Sequence, residues 1–529
     1  MHYAIVFVLL MTFIFGLGLL ARRLCVPYPI LFVLGGLLIS FLPHLPRLTL
    51  DPDFIFFVFL PPLLYIQAFY TSWRDFRREL RPISLLAIGL VLVTAVTVAF
   101  VSHALIPGFP LASGFVLGAI ISPPDAIAAS AIAQSLGLPR RVVTILEGES
   151  LVNDATSLVA FKISLVAATT GLPIIGGAWM PGLFISVAAG GIAVGLVVGY
   201  LVSLVRRRVI NDGAQIVLTV SLLTPFASYL AAEQIHVSSV LAVVTTGLFL
   251  GWESPGIMTS NIRLQAQSIW EMIIYLLNGM VFVLIGLQLP GILAGITGYT
   301  WPELFLYAFV INATCIVVRM GWVFPGAYLP FIFKKVRRHE VLPDWRQVFI
   351  ISWSGMRGVV SLAAALALEG YSANFPDARV HLVQFLAFSV ILVTLVFQGL
   401  TLPPLIRYLG VGDDGTAAQE ENEARNRISE AVLEKIGQIR EEGKFSETIV
   451  NNVEQFYRER ALALKDDLAE QLGWSDKRHH LVSLRRLRHS MLSTERHTLL
   501  DLRRSGIIGD DVMHKIEHEL DLEETRLKI

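Results

Sequence analysis

The stretch Leu146-Glu147-Gly148-Glu149-Ser150-Leu151-Val152-Asn153-Asp154-Ala155-Thr156-Ser157 puts three carboxylates into a run, residues 142–167, that is otherwise apolar and long enough to cross a bilayer. An ionisable side chain at mid-bilayer costs roughly 2.5–3.5 kcal/mol on insertion scales, so one that is present marks an ion pathway or a paired structural site. With a helix start near Val142, Asp154 lies about 18 Å along the axis at roughly 1.5 Å per residue, close to the middle of the hydrocarbon. Helical spacing sorts the polar residues into two adjacent stripes: Glu147, Ser150, Asp154 and Ser157 on one, and Glu149, Asn153 and Thr156 on the other. Lipid tolerates neither stripe. This helix must be enclosed by protein or border a water-filled cavity.

Working outward, residues 1–410 hold 23 Lys/Arg and 17 Asp/Glu, whereas residues 411–529 hold 19 and 25. The first portion reads as a transmembrane domain, 1–410, and the second as a helical tail domain, 411–529. By these counts their formal charges are +6 and −6, neither of which is the footprint of a nucleic-acid binder. Repeated apolar runs near 20 residues exclude a soluble enzyme, and nothing in the motifs calls for a cofactor. Two cysteines cannot build a disulfide framework or a four-ligand zinc site. Basic residues follow the first apolar run instead of preceding it, so that run is read as a retained membrane helix.

Breaking the apolar runs at charged or Pro/Gly-rich stretches predicts thirteen spans, near 3–21, 26–43, 52–69, 82–105, 111–136, 142–167, 179–205, 212–232, 237–251, 266–293, 301–325, 347–368 and 380–406. Cytoplasmic loops retain Lys and Arg. Here alternate loops carry 18, Arg206, Arg207 and Arg208 among them, and the other set only Arg47 and Arg379. This predicts an outside N-terminus, a cytoplasmic tail and a multi-pass location in the cell membrane. With span 7 as a linker, spans 1–6 and 8–13 enter from opposite sides, an arrangement shared by many transporters. Spans 5 and 12 then correspond, and both are interrupted, by Ser122-Pro123-Pro124-Asp125 and by Ser354-Gly355-Met356-Arg357-Gly358. The expected fold is an all-α membrane protein of about 13 transmembrane helices, with inverted six-helix repeats, two interrupted crossing helices and a cytoplasmic helical tail. Tail periodicity runs near 417–443, 446–472 and 477–526, where Arg485, Arg486 and Arg488 read as a solvated face.

The interrupted spans supply partners for Asp154. Asp125 lies about fourteen residues into span 5, and Pro123 and Pro124 remove backbone donors beside it, freeing carbonyl oxygens of the kind a hard monovalent cation takes as ligands. Arg357, about ten residues into span 12, stays charged and needs a permanent acid. Glu149 is the expected partner, braced by the Asn153 amide, because Asp154 must remain free to exchange ligands. Gly355 and Gly358 mark the helix break, and Lys162 is expected to snorkel outward.

Gly148-Glu149-Ser150-Leu151-Val152-Asn153-Asp154-Ala155-Thr156 resembles a motif of the bacterial monovalent cation:proton antiporters, sodium/proton exchanger branch. Trp353-Ser354-Gly355-Met356-Arg357-Gly358-Val359-Val360-Ser361-Leu362-Ala363 looks like that family's second motif, and Phe59-Leu60-Pro61-Pro62-Leu63-Leu64-Tyr65 is similar to a third. The resemblance covers residues 1 to about 410. It implies a homodimer in the lipid bilayer, with a dimerisation domain and a core domain that moves as an elevator. Carried over, Asp154 alternates between proton and cation, Ser150 and Asp125 help hold the ion, and Glu149 and Arg357 form a buried pair steadied by Asn153.

Two departures bear on ion preference. The family often has Thr-Asp-Pro where this chain has Pro124-Asp125-Ala126, so a hydroxyl ligand is missing, with Ser122 or a carbonyl near Pro123 as substitutes. Relatives with an acid after Pro-Pro have it where this chain has Ile66. The expected function is antiport of Na+ (alternatively K+ or Li+) against H+, serving pH homeostasis. An amide at position 153, where electrogenic relatives carry a second acid, implies electroneutral exchange. A cation channel is the other reading. An intramembrane aspartyl protease is set aside because its Gly-x-Gly-Asp pattern occurs only at Gly410-Val411-Gly412-Asp413, after the last span.

Overall fold

The computed structural model describes residues 2–24, 26–41, 56–125, 129–130, 132–133, 136–170, 179–210, 213–257, 260–296, 298–332, 342–368, 377–412, 415–443 and 445–464, together with Leu520 and Leu522. Among them there are helices and no strands. The chain divides into two units, residues 1–414 and 415–529.

In the first unit the helices are α1 (His2–Leu24), α2 (Tyr28–Ser40), α3 (Leu60–Tyr70), α4 (Leu80–Leu105), α5 (Leu111–Ile121), α6 (Arg140–Thr170) and α7 (Trp179–Val209). There follow α8 (Ala214–Gln234), α9 (Ser239–Ile257), α10 (Ser260–Gly295), α11 (Trp301–Tyr328), α12 (Trp345–Trp353), α13 (Val359–Ala367) and α14 (residues 377–409). Among the described residues, seven helices are long and apolar enough to cross a membrane, and four shorter apolar ones accompany them. Large apolar side chains point outward along the long helices, such as Phe305, Phe309 and Val317 on α11 and Ile185 and Val197 on α7. That is the surface of a protein whose solvent is hydrocarbon.

Local chemistry sets the helix ends. Thr300 and Glu303 form a capping box at the start of α11, with Glu303 accepting from the Thr300 N–H at 2.8 Å. Asp344 caps α12 by accepting from the Arg346 N–H. Two π turns, Leu85–Leu90 in α4 and Thr394–Gln398 in α14, each leave a group for tertiary use. The Leu85 carbonyl accepts from Trp322 Nε1 at 2.9 Å, and the Thr394 hydroxyl accepts from the Arg357 N–H at 3.0 Å.

Helix α2 lies backbone-to-backbone on α10, because a Cβ on Gly36 or Gly286 would overlap the facing main chain. Phe32, Val33, Phe282 and Ile285 of this pair share a core with Met356 and Ile391, so it packs onto the α12–α13 break. Helix α3 is fixed differently. Its Tyr65 ring packs on Trp270 at 5.6 Å, and its hydroxyl accepts from Arg206 at 3.0 Å. Arg206 is 2% exposed on α7, which continues to Val209, so it is a buried anchor and not the loop charge expected of it.

The second unit begins with α15 (Thr416–Glu442), which stops at Gly443 in the left-handed conformation, followed by α16 (Glu447–Leu464). The two helices pack on each other, Arg440 bonding both Asn451 and Glu454. The arginine cluster 485–488 and the third predicted tail helix lie outside the described residues, Leu520 and Leu522 excepted.

Candidate ion site

Two broken helices meet at the centre of the first unit. With no N–H on Pro123 and Pro124, α5 ends at Ile121 and residues 122–125 form no regular element. Residues 354–358 likewise separate α12 from α13. The Asp125 N–H donates to the Met356 carbonyl at 2.7 Å, tying one break to the other.

Each break presents charge to the other's helix end. Arg357, 1% exposed, donates through Nε to the Ile121 carbonyl at 2.6 Å, where α5 terminates, and through Nη1 to Gly355 at 2.7 Å. A guanidinium is favoured at a helix C-terminus. The Asp125 carboxylate lies on the Cα of Gly358, the N-cap of α13, where a negative charge is favoured. A Cβ on Gly358 would overlap that carboxylate, which makes the glycine a steric requirement.

Helix α6 passes beside the crossing, and its two polar stripes face different neighbours. Ser150 and Asp154 line a cavity of about 30 Å³ together with Pro123, Asp125, Gly358 and Ser361; α3 closes it with Leu60, Leu63, Leu64 and Gln67. That exceeds the roughly 10–15 Å³ that a water needs, so the cavity has room for a dehydrated monovalent ion or for water. Asp154 is 6% exposed, and among the described residues no basic side chain pairs with it.

Glu149, on the other stripe, corrects one expectation. Its carboxylate takes both guanidinium nitrogens of Arg319 on α11, at 2.6 and 2.9 Å, instead of Arg357. Arg319 also donates to the Ser352 and Ile351 carbonyls at 3.2 and 2.9 Å. The physical reason is that the broken helices already satisfy Arg357 with freed carbonyls, so the acid is left for the arginine that approaches it in bidentate geometry. Asn153 does not brace a Glu149–Arg357 pair either. Its amide donates to the Pro124 carbonyl at 2.8 Å, pinning α6 to the first break. Lys162, 67% exposed, extends outward and approaches Glu233 at 3.5 Å.

Ser122 does not line this cavity, and its Oγ donates to the Ala119 carbonyl within α5 at 3.0 Å. Ser361, overlooked as a ligand in the sequence, lines the cavity at 1% exposure with a hydroxyl that has no hydrogen-bond partner among the described residues. Its signal lay in the second motif, three residues past Gly358. Gln67 also lines the cavity, whereas its neighbour Ile66, at the position where relatives carry an acid, is buried without lining it. Arg319 stands within span 11 as Arg357 does within span 12, and the same cost argument would have found it.

Comparison with known proteins settles the family. The family described as sodium/hydrogen exchanger, transmembrane, matches residues 8–408. The chain belongs to the sodium/hydrogen exchanger family. A sodium/proton exchanger of uncharacterised activity from Mycobacterium tuberculosis is 36% identical over 96% of this chain and 93% of its own. A sodium, potassium, lithium and rubidium/proton antiporter from Bacillus subtilis is 35% identical over 72% of this chain and 58% of its own. The solved structure of a sodium proton antiporter from Methanocaldococcus jannaschii at pH 8 shares the fold with a TM-score of 0.57, covering 75% of this chain and all of that one at 19% identity. This exchanger is therefore a multi-pass membrane transporter of cations and protons, and not an enzyme.

Proposed function

We propose that this exchanger moves one monovalent cation, which we assign as Na+, against one proton by letting both compete for Asp154. The observation that carries the reading is the ion-sized cavity in which Asp154, Asp125, Ser150 and Ser361 converge, with no fixed counter-cation on Asp154 among the described residues. Deprotonated Asp154 binds the cation, protonated Asp154 cannot, and only occupied forms change face. Coupling then follows from mutual exclusion. Asp125 and the hydroxyls complete the ion's oxygen shell, the Ser361 hydroxyl replacing the one absent from position 124. Asn153 and the Glu149–Arg319 pair position α6. The neutral amide at position 153 favours one proton per cation, hence electroneutral exchange.

Thirteen crossings in two inverted six-helix repeats account for the way the α5 and α12–α13 breaks meet face to face, and the loop charge favours an outside N-terminus with residues 411–529 in the cytoplasm. An elevator movement in a homodimer fits a cavity shared between the α5, α6 and α13 elements and the separately anchored α3. Such a cycle serves pH homeostasis. The test is dye-monitored proton movement in proteoliposomes as Na+, K+ and Li+ are added in turn. Na+ at the lowest concentration should release the imposed gradient; a response to K+ alone would reassign the cation, and no response to any would reject antiport.

A further inference from the structure

The largest cavity described, about 730 Å³, is a cleft between α1, α2 and α10 on one side and Ile132, Leu136 and α14 on the other. Tyr28 and Tyr275 stand in its wall, their rings edge-on at 6.1 Å and each packed against Phe32, so both phenols are held in place by the core behind them. Their hydroxyls meet different neighbours. That of Tyr275 lies on the Gly18 backbone of α1. That of Tyr28 is engaged by Asn278 of α10 and stands within electrostatic reach of the Asp125 carboxylate. Asn278 is 0% exposed, and its contact with Tyr28 is loose, since neither Nδ2 nor Oδ1 makes a close hydrogen bond among the described residues. A buried polar group is satisfied by protein or by water. With the cleft beside this amide, water is the partner available to it.

We infer that Tyr28, positioned by Asn278, is a relay that passes protons between water in the cleft and Asp125. As Tyr28 gives its proton toward the carboxylate it takes one from cleft water, so one O–H bond breaks while another forms and the phenol is neutral before and after. Asp125 and Asp154 line the same small cavity, which puts a proton delivered to one within reach of the other. The route suits a proton and not the cation. Among the described residues no acidic side chain lines the cleft, so the path offers no cage of oxygens for a cation that sheds its water. A proton needs only a succession of groups that both donate and accept, which a phenol and a water supply.

The experiment compares full-length variants in proteoliposomes by kcat of exchange, cation KM and the slowing of kcat in D2O, with thermal stability measured in detergent. Tyr28→Phe keeps the ring contacts and Asn278→Leu keeps the volume, so both should remain as stable as wild type. Each should lower kcat by roughly tenfold, about the worth of one hydrogen bond lost from the relay, with cation KM unchanged because the ion's own ligands are intact. The slowing in D2O should be greater in both than in wild type, since proton delivery has become limiting; a merely structural role would not move it. Asn278→Ser, polar and small enough to admit a water, should restore much of the rate, and Tyr275→Phe, the same change in the same cleft, should match wild type. A normal kcat in Tyr28→Phe, an equal loss in Tyr275→Phe, an unaltered effect of D2O, or a raised cation KM in place of a lowered kcat would each overturn the relay. The relay rests on exchange at Asp154, and Asp154→Asn measured alongside separates the two: exchange persisting there defeats that reading, whereas an inactive Asp154→Asn beside a normal Tyr28→Phe defeats the relay alone.

Discussion

At the scale of single residues, buried charge in this exchanger is neutralised in two ways. Glu149 and Arg319 neutralise each other, whereas Arg357 is held by carbonyl dipoles that the helix breaks release. Removing one partner of a buried pair leaves a stranded charge at a cost of about 3–5 kcal/mol. Glu149→Ala should therefore lower thermal stability in detergent by about that amount, and a double-mutant cycle should show strong coupling of position 149 to 319 and weak coupling to 357. Ser361→Ala should behave in the opposite manner. Its hydroxyl has no partner to lose among the described residues, so stability should hold while the apparent KM for the cation rises roughly fivefold to tenfold, the worth of about one hydrogen bond of 1–1.5 kcal/mol. Unchanged KM would remove Ser361 from the ion's shell. The sequence made the costly residues visible, because an acid or arginine in an apolar run stands out by composition. Their pairing was not visible, since the choice of Arg319 over Arg357 depends on where the breaks in α5 and α12–α13 deliver free carbonyls, which is a tertiary fact.

At the scale of elements, the broken helices work because Gly358 lets the Asp125 carboxylate lie on the backbone at the start of α13. Gly358→Ala should displace Asp125 and abolish exchange, while Gly16→Ala, in open space on α1 and outside the crossing, should leave exchange intact; normal exchange in the former would show that the breaks need not touch. In the tail, the Arg440 guanidinium, with Arg458 second, holds the Glu454 carboxyl below its ordinary value. A depressed carboxylate contributes stability that is present above the unfolded value, roughly 4.3, and lost as pH falls through the folded one. Amide protection across the α15–α16 hairpin should therefore decline on acidification below about pH 4, and Glu454→Gln should flatten that dependence in hydrogen-exchange measurements. Breaks at Pro123-Pro124 and at Gly355 and Gly358 were readable because those residues lack a donor or a side chain. The continuation of α7 through Arg206 was not, since three consecutive arginines look like a loop until Tyr65 is placed opposite the first of them.

At the scale of the whole molecule, a membrane class and a bundle with two interruptions followed from apolar run length and Pro/Gly placement, which are local properties. Which helices form the wall of the cavity did not, because that requires α3 to approach α6 across more than eighty residues of chain. One-for-one exchange predicts that the transport equilibrium in sealed vesicles ignores membrane voltage. A net charge moved per cycle would instead bias it by about 2.3 kcal/mol per 100 mV, visible as a shifted null point. The most direct test of competition at Asp154 is the pH dependence of cation KM in proteoliposomes, wild type beside Asp154→Asn. The account predicts that KM rises about tenfold for each unit of acidification below the carboxyl's titration, with kcat unchanged, and that Asp154→Asn is folded yet inactive. A KM independent of pH with kcat falling instead, or exchange persisting in Asp154→Asn, would contradict it.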